Sequence, residues 1–335
     1  MKTILIITRN KAVDFRQMPH NRNTTADGKY RFVINDYAAD ADFVVVISKG
    51  LRHPHSFHVA SANTILTTEE PHQILAYARG YRRQFGLVCS CQPEIKGRNV
   101  IHGPAILPWY VGVDFKADGS VAFTKDYDDI AASHPEKTKL ISVITSGKAF
   151  SQGHVDRLRF VRRLHERYGN QVDIYGHGFL SFKDKWEALA PYKYHIVIEN
   201  STADYYFTEK LADCYLAGAF PIYHGCRNVA DYFPSGAMET IDIRDFDAAA
   251  STIDRVIASQ RYEESRQLLE HCKELSLNRY NLFNEIATAC DRLDGDAKKE
   301  DVELLPASRF QSLHNLWLYT VGRNYYKFIA RREGL

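Results

Sequence analysis

The residues best suited to chemistry lie between Tyr194 and Cys226. An apolar, β-branched run from Tyr194 to Ile198 stops at the polar cluster Glu199, Asn200, Ser201 and Thr202. A helix signal follows, with Thr208 as N-cap and Leu211, Cys214, Tyr215 and Gly218 on one face. Gly218 stands where that helix should give out, before a second strand from Phe220 to Tyr223. A strand, a crossover helix and a parallel strand gather ligands beyond the carboxyl ends of the strands. Lys210 falls in the first turn of the helix, where the macrodipole disfavours a cation while the free N–H groups favour an anion. A phosphate bound beside it would give the lysine a reason to be there. Glu209 cannot serve a phosphate and suits the hydroxyls of a ribose or sugar, and Asn200 and Tyr206 supply further donors from the loop. Spacing alone fits a solvated Glu-Lys pair on an ordinary βαβ unit equally well.

The elements that must hold these groups alternate along the whole chain. Up to about Phe115, apolar runs at Thr3 to Ile7, Phe43 to Ile47, Thr64 to Leu66 and Gly86 to Cys89 are separated by polar or helical stretches such as His72 to Phe85. That pattern predicts a parallel sheet with helices on both faces. Thr67-Thr68-Glu69-Glu70-Pro71 closes one of its strands ahead of a helix, so a carboxylate there would face a cleft, although an acid-decorated helix N-terminus has the same composition. Trp109 and Tyr110 follow Pro108 in an aromatic loop and could stack on a sugar face, plain packing being the commoner use. From Lys116 to Thr138 the chain is polar and reads as a linker. The later strand Lys139 to Thr145 leads through Ser146-Gly147-Lys148 to a helix from about His154 to Tyr168. There Arg159, Arg162 and Arg163 share a solvated stripe with Glu166, whereas Arg157 aligns with the apolar Phe160, Val161 and Leu164. Neutralising a diphosphate would account for an arginine on that side. Asp173 to Phe179 reads as a strand and a Gly-rich turn, with Tyr175, Gly176 and Gly178 at its end.

Composition narrows the function classes. With 335 residues, 45% of them hydrophobic, the chain can bury two cores of ordinary domain size. A net charge of +2 argues against nucleic acid as the main partner. The opening MKTILIITRN is too short an apolar run to span a bilayer and reads as a first strand. The six cysteines lack zinc spacing and read as reduced, buried thiols of a cytosolic protein. Asp126-Tyr127-Asp128 and Asp245-Phe246-Asp247 have the form of a metal-binding DxD, but the first lies in a polar run and the second opens a helix, so no metal site is expected. Ser308 to Arg332 predicts a last helix, with Phe310, Leu313, Trp317, Val321, Tyr325 and Phe328 on one stripe and Arg323, Lys327 and Arg331 on another. Packing on a domain is the favoured reading; an interfacial helix on a membrane is the alternative.

Glu199-Asn200, Tyr206, Thr208-Glu209-Lys210-Leu211, Leu216-Ala217-Gly218-Ala219 and Pro221 together resemble the donor-binding signature of the Lewis-type α1,3/1,4-fucosyltransferases. The resemblance is dense from Ser142 to Asp245 and thin before it. It implies that Asn200, Tyr206, Glu209 and Lys210 bind GDP-fucose, that Arg157 binds its diphosphate, and that Ser146, Tyr175 and Gly176 line the donor site. Gly147 departs from the pattern, since relatives often carry asparagine after the serine. The family's catalytic glutamate is frequently followed two residues later by proline, which selects Glu69 as general base, with Glu70 as fallback. The implied fold is α/β and GT-B-like, two Rossmann-like domains facing across a cleft. Its expected parts are 1–115 on the acceptor side, a linker at 116–138, 139–300 for the nucleotide sugar, and a helical tail at 301–335. The implied activity is inverting transfer of fucose from GDP-fucose to a hydroxyl of a free or lipid-linked glycan, without cofactor or metal. An α1,3 linkage in lipopolysaccharide, another surface polysaccharide or a Lewis-type glycan is expected, in a soluble, bacterial, cytoplasmic protein that touches the inner membrane if its last helix lies there. The alternatives are a GT-B transferase using another nucleotide sugar and a non-catalytic glycan- or nucleotide-binding relative.

Overall fold

The computed structural model describes residues 1–311 and 313–335. In the first part, short apolar runs form β1 (Lys2–Ile7), β2 (Tyr30–Ile34), β3 (Phe43–Ile47), β5 (Thr64–Thr67), β6 (Leu87–Ser90) and β7 (Val100–His102), and burial alternates along β4 (His55–Val59). All but β4 join one parallel sheet of order β2-β1-β3-β5-β6-β7. Parallel strands must be covered on both faces, and near-continuous apolar runs such as Phe43 to Ile47 meet that need. One face packs Ile4, Val45 and Ile65 against Leu282, Phe283 and Ile286; the other packs Leu5, Val46 and Leu66 against Phe57, Tyr81 and Leu304. Each such side chain contributes about 1.5–3 kcal/mol on burial.

The helix expected over His72 to Phe85 shrinks to α1 (Arg79–Arg82). Tyr77, Tyr81 and Phe85 mimic a helical stripe and all reach the core, but Gln92 Nε2 donates to the carbonyls of Glu70 and Leu75, both at 2.7 Å, taking acceptors a helix would use. The polar stretch after Phe115 is also ordered. An antiparallel hairpin of β8 (Val113–Phe115) and β9 (Val121–Phe123) leads into α2 (Tyr127–Ala132), whose N-terminus is closed by a reciprocal capping box of Asp126 and Asp129. Asp126 of the first DxD is therefore a helix cap, and Asp245 of the second caps the helix that begins at Phe246 by accepting from the Ala248 N–H.

The second sheet comprises β10 (Lys139–Thr145), β11 (Asp173–Gly176), β12 (Tyr192–Ile198), β13 (Phe220–His224) and β14 (Glu239–Thr240), all parallel, in the order β11-β10-β12-β13-β14. Around it lie α3 (Gln152–Tyr168), α4 (Lys185–Leu189), α5 (Glu209–Leu216), α6 (Phe246–Ala258), α7 (Arg261–Glu264) and α8 (Arg266–Glu274). Its core joins Val143, Phe160, Ile196, Leu211, Ile222 and Ile253. The chain then returns to the first sheet: α9 (Leu282–Cys290) covers one face and β15 (Glu300–Leu304) pairs antiparallel with β4.

Two parallel α/β sheets thus face each other, and α10 (Leu313–Arg332) lies against both domains. Tyr319 Oη donates to the His72 carbonyl at 3.0 Å, while Arg159 Nε donates to Glu333 just past the helix at 2.7 Å. Phe310 sits outside this helix, in a turn at Ala307–Phe310, against Tyr81. The expected packing stripe faces the other way: Trp317, Val321, Tyr325 and Phe328 are 60, 45, 57 and 60% exposed. The side chain of Leu313 lies outside the described residues.

Candidate active site

At the carboxyl end of β12 the chain builds the expected loop and helix. Thr208 caps α5 by accepting from the Lys210 N–H, and Gly218 adopts φ 66° just past its end, a conformation that favours glycine. Thr208 also ties the cap to Glu199, which is 1% exposed: the Thr208 N–H donates to Glu199 Oε1 at 2.8 Å and its hydroxyl to Oε2 at 2.8 Å. Lys210 Nζ donates to the same carboxylate at 3.1 Å and to Thr208 Oγ1 at 3.0 Å. The lysine at the helix start is therefore one half of a largely buried ion pair. Burial works against its charge, but Glu199, Glu209 and Glu70 outweigh it and raise its pKa.

Glu209 is held by a second cation. Lys185 Nζ lies 3.5 Å from Glu209 Oε1 and 2.6 Å from Asp213 Oδ2. Burial alone would raise the Glu209 pKa; Lys210, Lys185 and the Thr208 hydroxyl together bring it down to about 2, so it is a carboxylate across the physiological range. Asp213 Oδ1 in turn accepts from the backbone N–H groups of Tyr110 at 2.7 Å and Val111 at 3.0 Å. Through Lys185 and Asp213, Glu209 is locked to the chain segment leaving the first sheet.

The start of α3 contributes Arg157, which is 4% exposed. Its Nη1 donates to Asn200 Oδ1 at 3.0 Å, and its Nη2 to the Ser146 carbonyl at 3.0 Å and hydroxyl at 3.1 Å. Its Nε is buried without a partner, and no carboxylate pairs with the guanidinium among the described residues. Burial lowers its pKa to about 10, which leaves it charged at neutral pH. His154, one turn earlier, is pushed down as well, by burial and by the neighbouring Arg157, Lys148 and Lys210; its pKa falls to about 3 and it stays neutral.

Glu69 and Glu70 face this group from the end of β5. One cavity of about 260 Å³ is lined by both glutamates, by Asn10 and Tyr110 from the first domain, and by Ser146, Lys148, His154, Arg157, Asn200, Tyr206, Glu209 and Lys210 from the second. Burial, then the charge of Glu70, raises the Glu69 pKa to about 7; burial also raises that of Glu70. The Tyr206 ring is buried, and its hydroxyl makes no hydrogen bond among the described residues.

Three expected residues stand apart from the cavity. Trp109 is 1% exposed, packed with Val111 and Leu216 and covered by the Arg16 guanidinium 4.6 Å from its ring centre. Its ring serves packing and not a sugar face, and its backbone carbonyl accepts from Arg16 and Gln17. Tyr175 pairs its hydroxyl with that of Tyr192 at 2.7 Å. Gly176, at φ 120°, lets β11 approach β10 so closely that a Cβ there would lie 1.8 Å from the Thr145 carbonyl oxygen. Periodicity passed over Asn10, Lys148 and His154, which line the cavity, and Glu199, which pairs with Lys210 behind it. The polar cluster after β12 and the Ser146-Gly147-Lys148 loop were the available signals for two of them.

Residues 134–303, half of the chain, match the model of glycosyltransferase family 10 (fucosyltransferase), C-terminal part. The α-(1,3)-fucosyltransferase FucT of Helicobacter pylori is 38% identical over 72 residues, which is 21% of this chain and 15% of that protein. Among solved structures, an α1,3-fucosyltransferase with GDP-fucose aligns at a TM-score of 0.47 and 16% identity, covering 96% of this chain and 90% of that one. Anabaena HepE in complex with UDP aligns at 0.50 and 9% identity, covering 88% of this chain and all of the other. The fold is of the GT-B type, and by the match across half its length the chain belongs to glycosyltransferase family 10, the fucosyltransferases.

Proposed function

We propose that the protein transfers fucose from GDP-fucose to a hydroxyl of a glycan, with inversion at the anomeric carbon and an α1,3 linkage. The observation that carries this reading is the division of the cavity into two walls: a buried, charged Arg157 without a carboxylate partner, beside Lys210, faces the glutamates at the end of β5. Glu69 takes the proton of the acceptor hydroxyl as its oxygen attacks C1 of fucose, a role suited to a carboxyl with a pKa near neutrality. The bond from C1 to the diphosphate oxygen breaks, its electron pair leaves with GDP, and the growing charge meets Arg157, Lys148 and Lys210. These cations supply in the chain itself the positive charge a leaving diphosphate needs. Glu209, ionised and fixed by Lys185, accepts hydroxyls of the donor, and Asn200 and Tyr206 orient it. Tyr110 forms the acceptor-side rim.

The acceptor belongs to a bacterial surface polysaccharide or Lewis-type glycan made on the cytoplasmic side. No described helix is long and apolar enough to cross a membrane, but the exposed Trp317, Val321, Tyr325 and Phe328 favour peripheral contact of α10 with the inner membrane. Co-sedimentation with anionic vesicles, lost in Trp317→Ala/Phe328→Ala, checks that contact.

The deciding experiment is calorimetric titration with GDP and with UDP in chelator, followed by an acceptor screen with GDP-fucose. Metal-free binding of GDP in preference to UDP supports the reading. Preference for UDP would assign a different nucleotide sugar, and binding of GDP without turnover on any glycan would leave a non-catalytic relative.

A further inference from the structure

We infer that the cavity under α10, beside the strand end that carries Glu69, holds an anionic group of the acceptor between Lys49 and Arg323. This rests on the transferase reading above. The donor cavity shares Asn200 with a groove of about 580 Å³ that runs beneath α10. In that groove Glu199 is paired with Lys210, Asp156 with Arg159 and Arg244 with Asp242; Arg323 has no carboxylate partner among the described residues and rests 5.3 Å over the Phe150 ring. Past Tyr319 and Arg323 the groove opens into a smaller cavity of about 170 Å³, where Lys49 joins Arg323.

Lys49 is placed by the catalytic-side sheet. It follows Ser48, whose N–H donates to the Thr67 carbonyl at 2.9 Å and whose hydroxyl is 2.8 Å from the Tyr77 hydroxyl. Tyr77 in turn accepts the backbone N–H of Glu69 at 3.2 Å. Lys49 itself makes no hydrogen bond or ion pair among the described residues, and burial, then Arg323 and Arg9, lower its pKa. Arg9 is occupied with the carbonyls of Gly50 and Leu51, at 3.3 and 2.5 Å. Lys49 and Arg323 therefore share one partly dry cavity with no carboxylate among its described lining residues, and like charges repel strongly there. A bound anion converts that repulsion into attraction, and the walls of Tyr77, Tyr81 and Tyr319 suit the sugar that carries it. The carboxylate of an acidic sugar and the phosphate of a lipid-linked glycan share this chemistry.

The test is ligand-observed NMR on the full chain saturated with GDP, using methyl glucuronoside, glucose 1-phosphate and methyl glucoside as probes. At least one anionic probe should bind about tenfold tighter than methyl glucoside, the effect of one charge-assisted contact. Which one does so tells carboxylate from phosphate. Lys49→Gln and Arg323→Gln should each reduce that preference, with unchanged GDP affinity showing an intact fold. Equal binding of the three probes, or a preference that survives in the double variant, would overturn the inference. Failure of the wild-type chain to bind GDP would instead strike the donor assignment, and the preference among the probes would still be read in its own titration.

Discussion

Arg157 donates from Nη1 to Oδ1 of Asn200 at 3.0 Å, joining the start of α3 to the loop after β12. The partner of a buried guanidinium is here a neutral amide, so the positive charge stays available to a ligand. Asn200→Asp would place a counter-charge on it. We expect GDP affinity to fall at least about tenfold while the melting temperature holds or rises, since the buried arginine gains a partner. Calorimetry and a thermal melt on the same variant check both; unchanged GDP affinity would mean that Arg157 does not meet the diphosphate.

Transfer should depend on pH through Glu69. The base must be ionised, and its pKa lies at about 7, so kcat/KM should fall about tenfold per pH unit below that value and level off above it. Glu69→Gln should cost about 10²–10⁴ in rate and remove this limb, whereas Glu70→Gln should keep it. If the limb vanishes only in Glu70→Gln, the neighbouring carboxylate is the base.

The same carboxyl costs stability. Its pKa in the folded chain is raised from 4.5 to about 7, so the folded state holds the proton more tightly and stability declines as pH rises across that window. Glu69→Gln should therefore stabilise the protein at pH 8 by about 3 kcal/mol and have little effect at pH 4. Urea unfolding at the two pH values measures the difference; equal effects at both would refute a raised pKa.

Lys210 cannot be removed without exposing Glu199 as an unpaired buried charge. Lys210→Ala should cost about 3–5 kcal/mol of stability in addition to its effect on GDP. The double variant Lys210→Ala/Glu199→Gln should recover much of that stability and still bind GDP poorly. Wild-type affinity in the double variant would make the lysine purely structural.

Asp213 clamps the two domains by accepting from Tyr110 and Val111 and pairing with Lys185. Asp213→Ala leaves Lys185 with only the longer contact to Glu209 and strips the Tyr110 and Val111 N–H groups of their acceptor. A loss of about 3–5 kcal/mol is expected, with faster amide exchange at Tyr110 and Val111. Protection unchanged at both amides would show that the clamp does not hold the domains together.

Much of the second-domain wall of the cavity was legible in the residues themselves because it rests on local rules. Continuous apolar runs marked β12 and β13, the Thr208 cap and Gly218 bounded α5, and helical spacing put Arg157 on the apolar side of α3. Each depends on neighbours three or four positions away, so one stretch of chain carries the whole signal. The same reasoning misled where a stripe had two uses. Tyr77, Tyr81 and Phe85 are core residues on a largely non-helical segment, and Trp317 to Phe328 is an exposed face on a true helix.

The amino-acid sequence by itself determined the βαβ frame and which side chains its strand ends present. Only the tertiary structure decided what each of those side chains faces. Glu199 became the partner of Lys210, Asp213 and Lys185 became a clamp between domains, and Trp109 disappeared beneath Arg16. It also brought Glu69 opposite Arg157. Charge–charge and packing energies depend on distance through space, whereas spacing along the chain reports only the elements a residue belongs to.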